Sequence, residues 1–585
     1  MDNGNSANQN NSNQNNVSEN NSEKIENQLN LAIDVGEAVR EETIDLDTGY
    51  LNNDRWELII KYTGDFSQIE QYVEEANILL NGFAIVIIRE SQINKMAALP
   101  QVIYAEKPKR LYYEIVNAIR SSCISPVQDR YNLFGEGIFV AVIDSGIDYK
   151  NPVFIDENGE SRIECIWDQT DSLGTPPAGY SRGSLYNNEE INRAINGERT
   201  INTVDLSGHG TAVASIACGN FAENKRNSVG IATKSKLIAV KLGNPFRDNF
   251  PKTSELMLAI DFVIRYAITS NTPVVINISF GNNYGSHDGT SLVEQYINSV
   301  SGVGRNTIVV GMGNEGASAG HYRANLQNNQ NYIIDIAVGN YESKLNLQLW
   351  KNYSDEFYVE IISPSGNTSG ILNKSNEGTS YILDNTVIYV YYGTPKPFSV
   401  AQEIYFEFVP REDYLLSGIY SIKITPIIIK NGEVDLWLPV ESSINNTRFL
   451  GSSPEVTITS PATAYSVISV GAYNSFTNSY AEFSGRGFLR ENNFVKPDIV
   501  APGVNIRGAT REGTALFTGT SFATPVVSGS VALLMEWGIV RRNDIYLYAD
   551  KVKAYLIKGA VPLANEPVPS KRIGWGALCL NNSMP

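Results

Sequence analysis

The chain has 585 residues, 42% of them hydrophobic and 10% aromatic, ordinary proportions for a globular protein with room for several cores. A formal charge of −17 disfavours nucleic acid and anionic membranes as partners. No apolar run approaches the ~20 residues of a bilayer-spanning helix. Residues 1–16 are polar and Asn-rich, without the basic and apolar regions of a secretory leader, so the expected location is the cytoplasm.

Residues 1–22 have the composition of a disordered segment, and residues 1–53 as a whole are set apart as a tail. Residues 54–115 form a small α+β module. Within it, 56–62 reads as a strand, 66–80 has helical spacing, 83–88 is a strand, 91–98 a short helix and 102–105 a last strand. That order fits a ferredoxin-like unit.

Residues 137–146 are a continuous apolar run bounded by glycines, the pattern of a strand buried on both faces of a parallel sheet. Asp144 lies at its C-terminal end, where open α/β sheets place their sites, although an Asp there could equally cap a turn. Residues 151–201 read as polar loops. His209 then opens a helix of small residues, flanked by Gly208 and Gly210, and a lone His in such a place is more often structural. It is one of three histidines, with His287 and His321, so any mechanism needing an imidazole must choose among them.

Strands at 236–241 and 273–280, with a helix over 253–270 between them, and a further strand at 307–311 complete βαβ units and a parallel sheet. The last of these runs into Met312-Gly313-Asn314-Glu315-Gly316. From 331 to 449 the pattern changes to short alternating strands with Gly, Asn and Pro turns, which predicts a separate all-β sandwich of jelly-roll type. Parallel-strand character returns at 467–472, so this β unit, 319–455, is an insertion.

Near the C-terminus, Ser521 stands in Gly519-Thr520-Ser521-Phe522-Ala523-Thr524-Pro525, between a glycine turn and an apolar helix. Pro525 falls in the first helical turn, where a missing N–H costs nothing. A serine at a helix N-terminus faces free N–H groups that favour a developing anion, yet alone it reads as an N-cap. The four cysteines, Cys123, Cys165, Cys218 and Cys579, are far apart without a C-x-x-C pair. They are expected as buried free thiols rather than a disulfide framework or zinc site.

Together, Asp144 in Asp-Ser-Gly, His209 in Gly-His-Gly-Thr and Ser521 in Gly-Thr-Ser-x-Ala-x-Pro occur in the order Asp…His…Ser, for which subtilisin is the standard example. The sequence resembles the subtilases from about residue 56 to the C-terminus, the β insertion excepted. The resemblance implies an α/β fold: a subtilisin-like parallel sheet flanked by helices, with an N-terminal α+β propeptide and an inserted all-β jelly-roll domain. The catalytic domain would run over 116–318 and 456–585.

The resemblance further implies a serine endopeptidase with Ser521 as nucleophile, His209 as general base and Asp144 as orienting carboxylate. Asn314 matches the oxyanion asparagine. Ser279, Phe280 and Gly281 match the strand that pairs with substrate, and Gly311, Met312 and Gly313 form the other wall of the specificity pocket. No cofactor and no metal site are expected. The calcium loop of many secreted relatives is shortened here, at 220–231. The partners implied are a protein or peptide substrate and the chain's own propeptide, cut off between residues 105 and 123.

A propeptide with a jelly-roll insertion resembles the clostridial Csp spore-germination proteases, which activate the precursor of a cortex-lytic hydrolase. The alternative is a catalytically silent or propeptide-inhibited signalling protein, since some Csp proteins have lost triad residues. A carbohydrate-binding role for the insertion rests on its fold alone.

Overall fold

Runs of β-branched and aliphatic residues fold into one central sheet. Its parallel strands are β1 (Phe139–Asp144), β2 (Ile163–Asp168), β3 (Lys236–Lys241), β4 (Val274–Ile278), β5 (Asn306–Gly311), β6 (Ile468–Asn474) and β7 (Ile499–Pro502). They lie in the order β2-β3-β1-β4-β5-β6-β7. Ser184–Asn187 and Ser479–Tyr480 add antiparallel to β2 and β6. The computed structural model describes residues 23–35, 39–40, 43, 45–109, 112–113, 122–220, 230–243, 250–372, 379–490, 494–563 and 566–585.

Alternation along the strands decides which helices cover which face. Val140 and Val142 of β1 share a core with helices α1 (His209–Cys218) and α4 (Thr520–Met535). Ala141 and Ile143 face α2 (Thr253–Thr269) and α3 (Leu292–Val300) on the other side. The helix continued from Thr520 to Val540 is long and apolar enough to cross a bilayer by composition, but it is buried in the centre of the molecule. From β1 the chain goes first to β2 and β3 on one side, then to β4 through β7 on the other. The crevice where connections diverge therefore opens between the C-terminal ends of β1 and β4.

The N-terminal unit is a five-stranded antiparallel sheet in which Arg55–Tyr62 pairs with Phe83–Arg89 and Val102–Glu106. One expectation is corrected here. Residues 66–80 are not a helix: a short helix at Ser67–Glu70 is followed by strand Val73–Leu79, paired to Phe83–Arg89. Sheet pairing and contact with the α/β unit override the local pattern, for Leu79 packs in the same core as α2 and α3. The described part of the expected tail is likewise ordered. Asn27–Asp34 is a helix, and Leu29, Leu31 and Leu46 are buried with the core of the N-terminal unit. Residues 1–22 lie outside the described residues.

Residues 151–201 also hold more structure than expected. β2, Ser184–Asn187 and a helix at Asn188–Ile195 with a capping box from Asn187 and Glu190 all fall there. The inserted unit has two antiparallel sheets, one of six strands and one of four, packed around a core that includes Leu347, Val359, Phe406 and Ile422. The expectation of four free thiols is overturned: Cys123 and Cys579 form a disulfide across 456 positions, while Cys165 and Cys218 are buried free thiols. The fold brings the helix Ser125–Tyr131 against the C-terminal helix Leu580–Ser583, a pairing that sequence separation hides.

Candidate active site

Asp144 ends β1, and its Oδ1 lies 2.7 Å from His209 Nδ1, with both side chains about 1% exposed. The same oxygen accepts the Ser145 N–H at 2.7 Å, which fixes the carboxylate. His209 is the first residue of α1, and Gly208 before it has φ 73°, a left-handed conformation that glycine adopts without strain. A Cβ on Gly210 would lie 2.2 Å from the Gly146 carbonyl oxygen and 3.1 Å from Asp144 Cβ, so this close approach of α1 to β1 requires glycine.

Ser521 is the second residue of α4. Its Oγ donates to the Ser279 carbonyl oxygen at 3.0 Å, and Ser279 Oγ donates back to the Ser521 carbonyl at 3.0 Å. Asn277 extends the tie, donating to Ser279 Oγ at 2.9 Å and accepting from Ser528 Oγ at 2.8 Å. The His209 ring stands edge-on to Phe522, with centroids 5.3 Å apart, which brings the imidazole beside the start of α4. Asn314 follows β5, and its Oδ1 accepts the Thr520 N–H at 3.0 Å. The carboxamide is thereby oriented with its NH₂ as the other end.

The two expected pocket walls lie on either side of this point. Phe280–Gly281 is a short strand that pairs antiparallel with Tyr112–Tyr113. The Phe280 and Met312 side chains are buried in the core, which leaves backbone to form the walls. Gly313 donates to Thr520 Oγ1 at 3.2 Å and accepts from the Gly485 N–H at 2.9 Å. Glu315, next to Asn314, accepts the Glu441 N–H at 3.2 Å, and burial pushes its carboxyl up to about 7. His287 and His321 are elsewhere, both stacked on Trp437, with ring centroids 4.2 and 4.8 Å away. Among the described residues no cluster of His, Cys, Asp and Glu is arranged to hold a metal ion. The shortened calcium-loop segment falls mostly on 221–229, outside them.

Sequence reasoning missed Asp205. Its Oδ1 accepts from Ser145 Oγ at 2.8 Å and the Gly208 N–H at 2.9 Å, and its Oδ2 from the Thr211 N–H and Oγ1 at 2.8 and 2.7 Å. It caps α1 and clamps it to the end of β1. An Asp four residues before the helical His was the available signal.

The pattern of the Subtilase family matches residues 135–394 and 429–576, and that of the Csp protease B prodomain matches 23–109. The structure of the Clostridium perfringens CspB protease superposes with a TM-score of 0.73 at 38% identity, over 79% of this chain and 95% of that one. Subtilisin-like protease SBT3.13 of Arabidopsis thaliana is 26% identical over 507 residues, 78% of this chain and 62% of its own length. Serine protease AprX of Bacillus subtilis is 34% identical over 153 residues, 22% of this chain and 32% of its own. The chain thus spans about 62% of the length of the first of these relatives. With the Asp…His…Ser order on a parallel sheet, a matched catalytic region and a matched prodomain, the chain belongs to the subtilase family of serine proteases.

Proposed function

We propose that the chain is a self-processing serine endopeptidase. The observations that support this reading are the Asp144–His209 pair, whose imidazole stands beside Phe522 at the start of α4, and the Asn314 carboxamide held by the Thr520 N–H one residue before Ser521. Ser521 Oγ attacks a peptide carbonyl while His209 takes its proton, then returns it to the leaving amine. Asp144, held by Ser145 N–H, keeps the imidazole in the tautomer with Nδ1–H toward the carboxylate. The Asn314 NH₂ and the N–H groups at the start of α4 stabilise the oxyanion.

Ser279, Phe280 and Gly281 pair with substrate backbone as an added strand, and Gly311, Met312 and Gly313 form the facing wall. The pairing of Tyr112–Tyr113 with Phe280–Gly281 supports this reading, because a segment of the chain's own propeptide region occupies a substrate's place. The first cut falls between residues 105 and 123. Residues 110, 111 and 114–121 of that stretch are outside the described residues.

The likeness to CspB and to its prodomain supports a role in spore germination, where the enzyme activates the precursor of a cortex-lytic hydrolase. In this reading the insertion is a jelly roll and the protein is cytoplasmic or spore-associated. The Cys123–Cys579 bridge favours non-reducing surroundings within that choice.

A second reading, a permanently inhibited or silent protease, is favoured by the cover over the site: Ser521 and His209 are each 1% exposed. One gel separates the two. Purified wild type should split into a small propeptide and a large fragment, while Ser521→Ala stays whole. If both stay whole, or both are cut alike, self-processing is wrong.

A further inference from the structure

His287 lies against the backbone that leads out of Phe280–Gly281. Its Nδ1 is 2.7 Å from the Ile458 carbonyl oxygen and its Nε2 3.1 Å from the Asn283 carbonyl oxygen. The neighbouring residues Asn282 and Ser460 exchange both backbone hydrogen bonds, at 2.9 and 3.0 Å. The ring therefore touches both chain segments of that bridge, and Asn282 is the residue directly after Gly281.

A neutral imidazole has one N–H to give. Burial pushes this one down to about 4, so in neutral solution one carbonyl alone receives a proton, and the shorter contact assigns it to Nδ1 and Ile458. Nε2 then faces the Asn283 carbonyl with no proton between them, a contact that a free ring would avoid. The inserted unit keeps the ring there. Trp437, at the end of the strand Glu433–Trp437, stacks on it at 4.2 Å and 9°, and Trp437 Nε1 donates to the Val456 carbonyl at 3.2 Å. Arg490 donates its N–H to the His287 carbonyl at 3.1 Å and its Nε to Asp435 of the same strand at 2.8 Å. Asn283 Nδ2 donates to the Leu438 carbonyl at 3.3 Å. An imidazole held this way contributes through where it sets the backbone, not through satisfied hydrogen bonds of its own.

We propose that His287 is a positioning residue for extended substrates: stacked on Trp437, it fixes the backbone around Asn282 and Asn283, and so the edge that Phe280–Gly281 offers to an added strand. It touches neither substrate nor Ser521. Its effect falls on the residues well upstream of the cut, whose backbone pairs with that edge, and the insertion acts on substrate binding through this one stacked ring.

The inference rests on the substrate edge and the nucleophile proposed above, and the test separates the claims. Two blocked peptides share the same residues around the cut, one stopping at the residue before it and one extended upstream by several residues. Full-length wild type, His287→Asn, His287→Gln, Trp437→Leu and the variant joining His287→Gln with Trp437→Leu are compared on both. A fluorophosphonate that labels an activated serine without needing an extended chain is applied to each protein. In wild type the extension should lower KM by about ten-fold or more. His287→Gln, without a donor at the Nδ1 position, should lose most of that gain while kcat on the short peptide is kept. His287→Asn, whose amide stands near that position, should retain it. Trp437→Leu should match His287→Gln, and the double variant should be no worse than either. An unchanged gain in His287→Gln, or an equal loss on both peptides, overturns the positioning role, and an unchanged gain in Trp437→Leu overturns the part given to the insertion. A labelled wild type with no gain from extension overturns the substrate edge, and an unlabelled wild type the nucleophile, each taking this proposal with it.

Discussion

Asp205 accepts five hydrogen bonds, from Ser145, Ser207, Gly208 and Thr211, that hold the start of α1 against the end of β1. A shift of ~1 Å in such a constellation can cost about 10² in rate. Asp205→Ala should therefore lower kcat by about 10–10² with KM little changed, and steady-state kinetics on one peptide would show the split. A fall in KM-controlled binding instead would place Asp205 in substrate contact. Asn314→Ala should cost about 10²–10³ in turnover, a range that comes from subtilisin itself. At this scale the sequence was informative where side chains are fixed by chemistry: an Asp, a His and a Ser in recognisable surroundings. It was silent where burial is decided by the fold, as for Thr459, because nothing in Thr-Ile-Thr-Ser says which hydroxyl will be buried against Gly281 and Gly313, 178 and 146 positions upstream.

Among the elements, continuous apolar runs such as β1 and β4 were legible because a strand covered on both faces has no polar side to disguise it. Val73–Leu79 was misread because its exposed Glu74, Glu75 and Ala76 follow no clean alternation, and its pairing with Phe83–Arg89 contains a register shift. The disulfide was hidden for another reason. Its partners come together only after the first and last helices of the catalytic unit pack, where Leu580 N–H donates to the Ser122 carbonyl at 3.1 Å. A native bridge contributes about 2–5 kcal/mol. Cys579→Ser should lower the melting temperature by several degrees, and dithiothreitol should bring wild type down to the variant without moving the variant further. Equal melting of the two proteins before reduction would show that the bridge adds nothing.

Over the whole molecule, the propeptide is held on two sides. Toward the catalytic unit, Glu57 accepts from Ser254 Oγ and pairs with Arg182 at 3.3 Å. Burial works against its charge, but Arg182, Lys252 and Ser254 outweigh it, so the carboxyl is lowered. Toward the insertion, the helix Asn27–Asp34 shares a core with Tyr391 and Tyr405, and Asn27 Nδ2 donates to Glu403 at 2.9 Å. Burial pushes Glu403 up to about 7, with Glu26 adding to the rise while Lys396, Asn27 and Lys109 oppose it. The two carboxyls act in opposite directions. The Glu57 contribution is complete above the ordinary Glu range and is lost as pH falls through its lowered value. Glu403 is accommodated best while protonated, so its seam weakens as pH rises from about 4.5 to about 7 and is level above that. Propeptide attachment should be strongest in mildly acid solution, and Glu403→Gln should flatten the loss toward neutral pH. Melting curves of the uncut Ser521→Ala chain, with and without Glu403→Gln, across pH 4–8 would reveal it. Identical slopes would exclude Glu403 as the titrating group.

The strand Tyr112–Tyr113 laid on Phe280–Gly281 belongs to the same chain as the serine beside it. Under the self-processing proposed above, that connection sets the kinetic order of the first cut. The effective concentration of a tethered segment depends on its linker and not on how much protein is in the tube. The half-time for self-processing of freshly folded wild type should therefore stay constant across a hundred-fold dilution, whereas cleavage of one chain by another would slow in proportion. A newly made molecule would need no neighbour to begin its maturation, however few copies a cell contains.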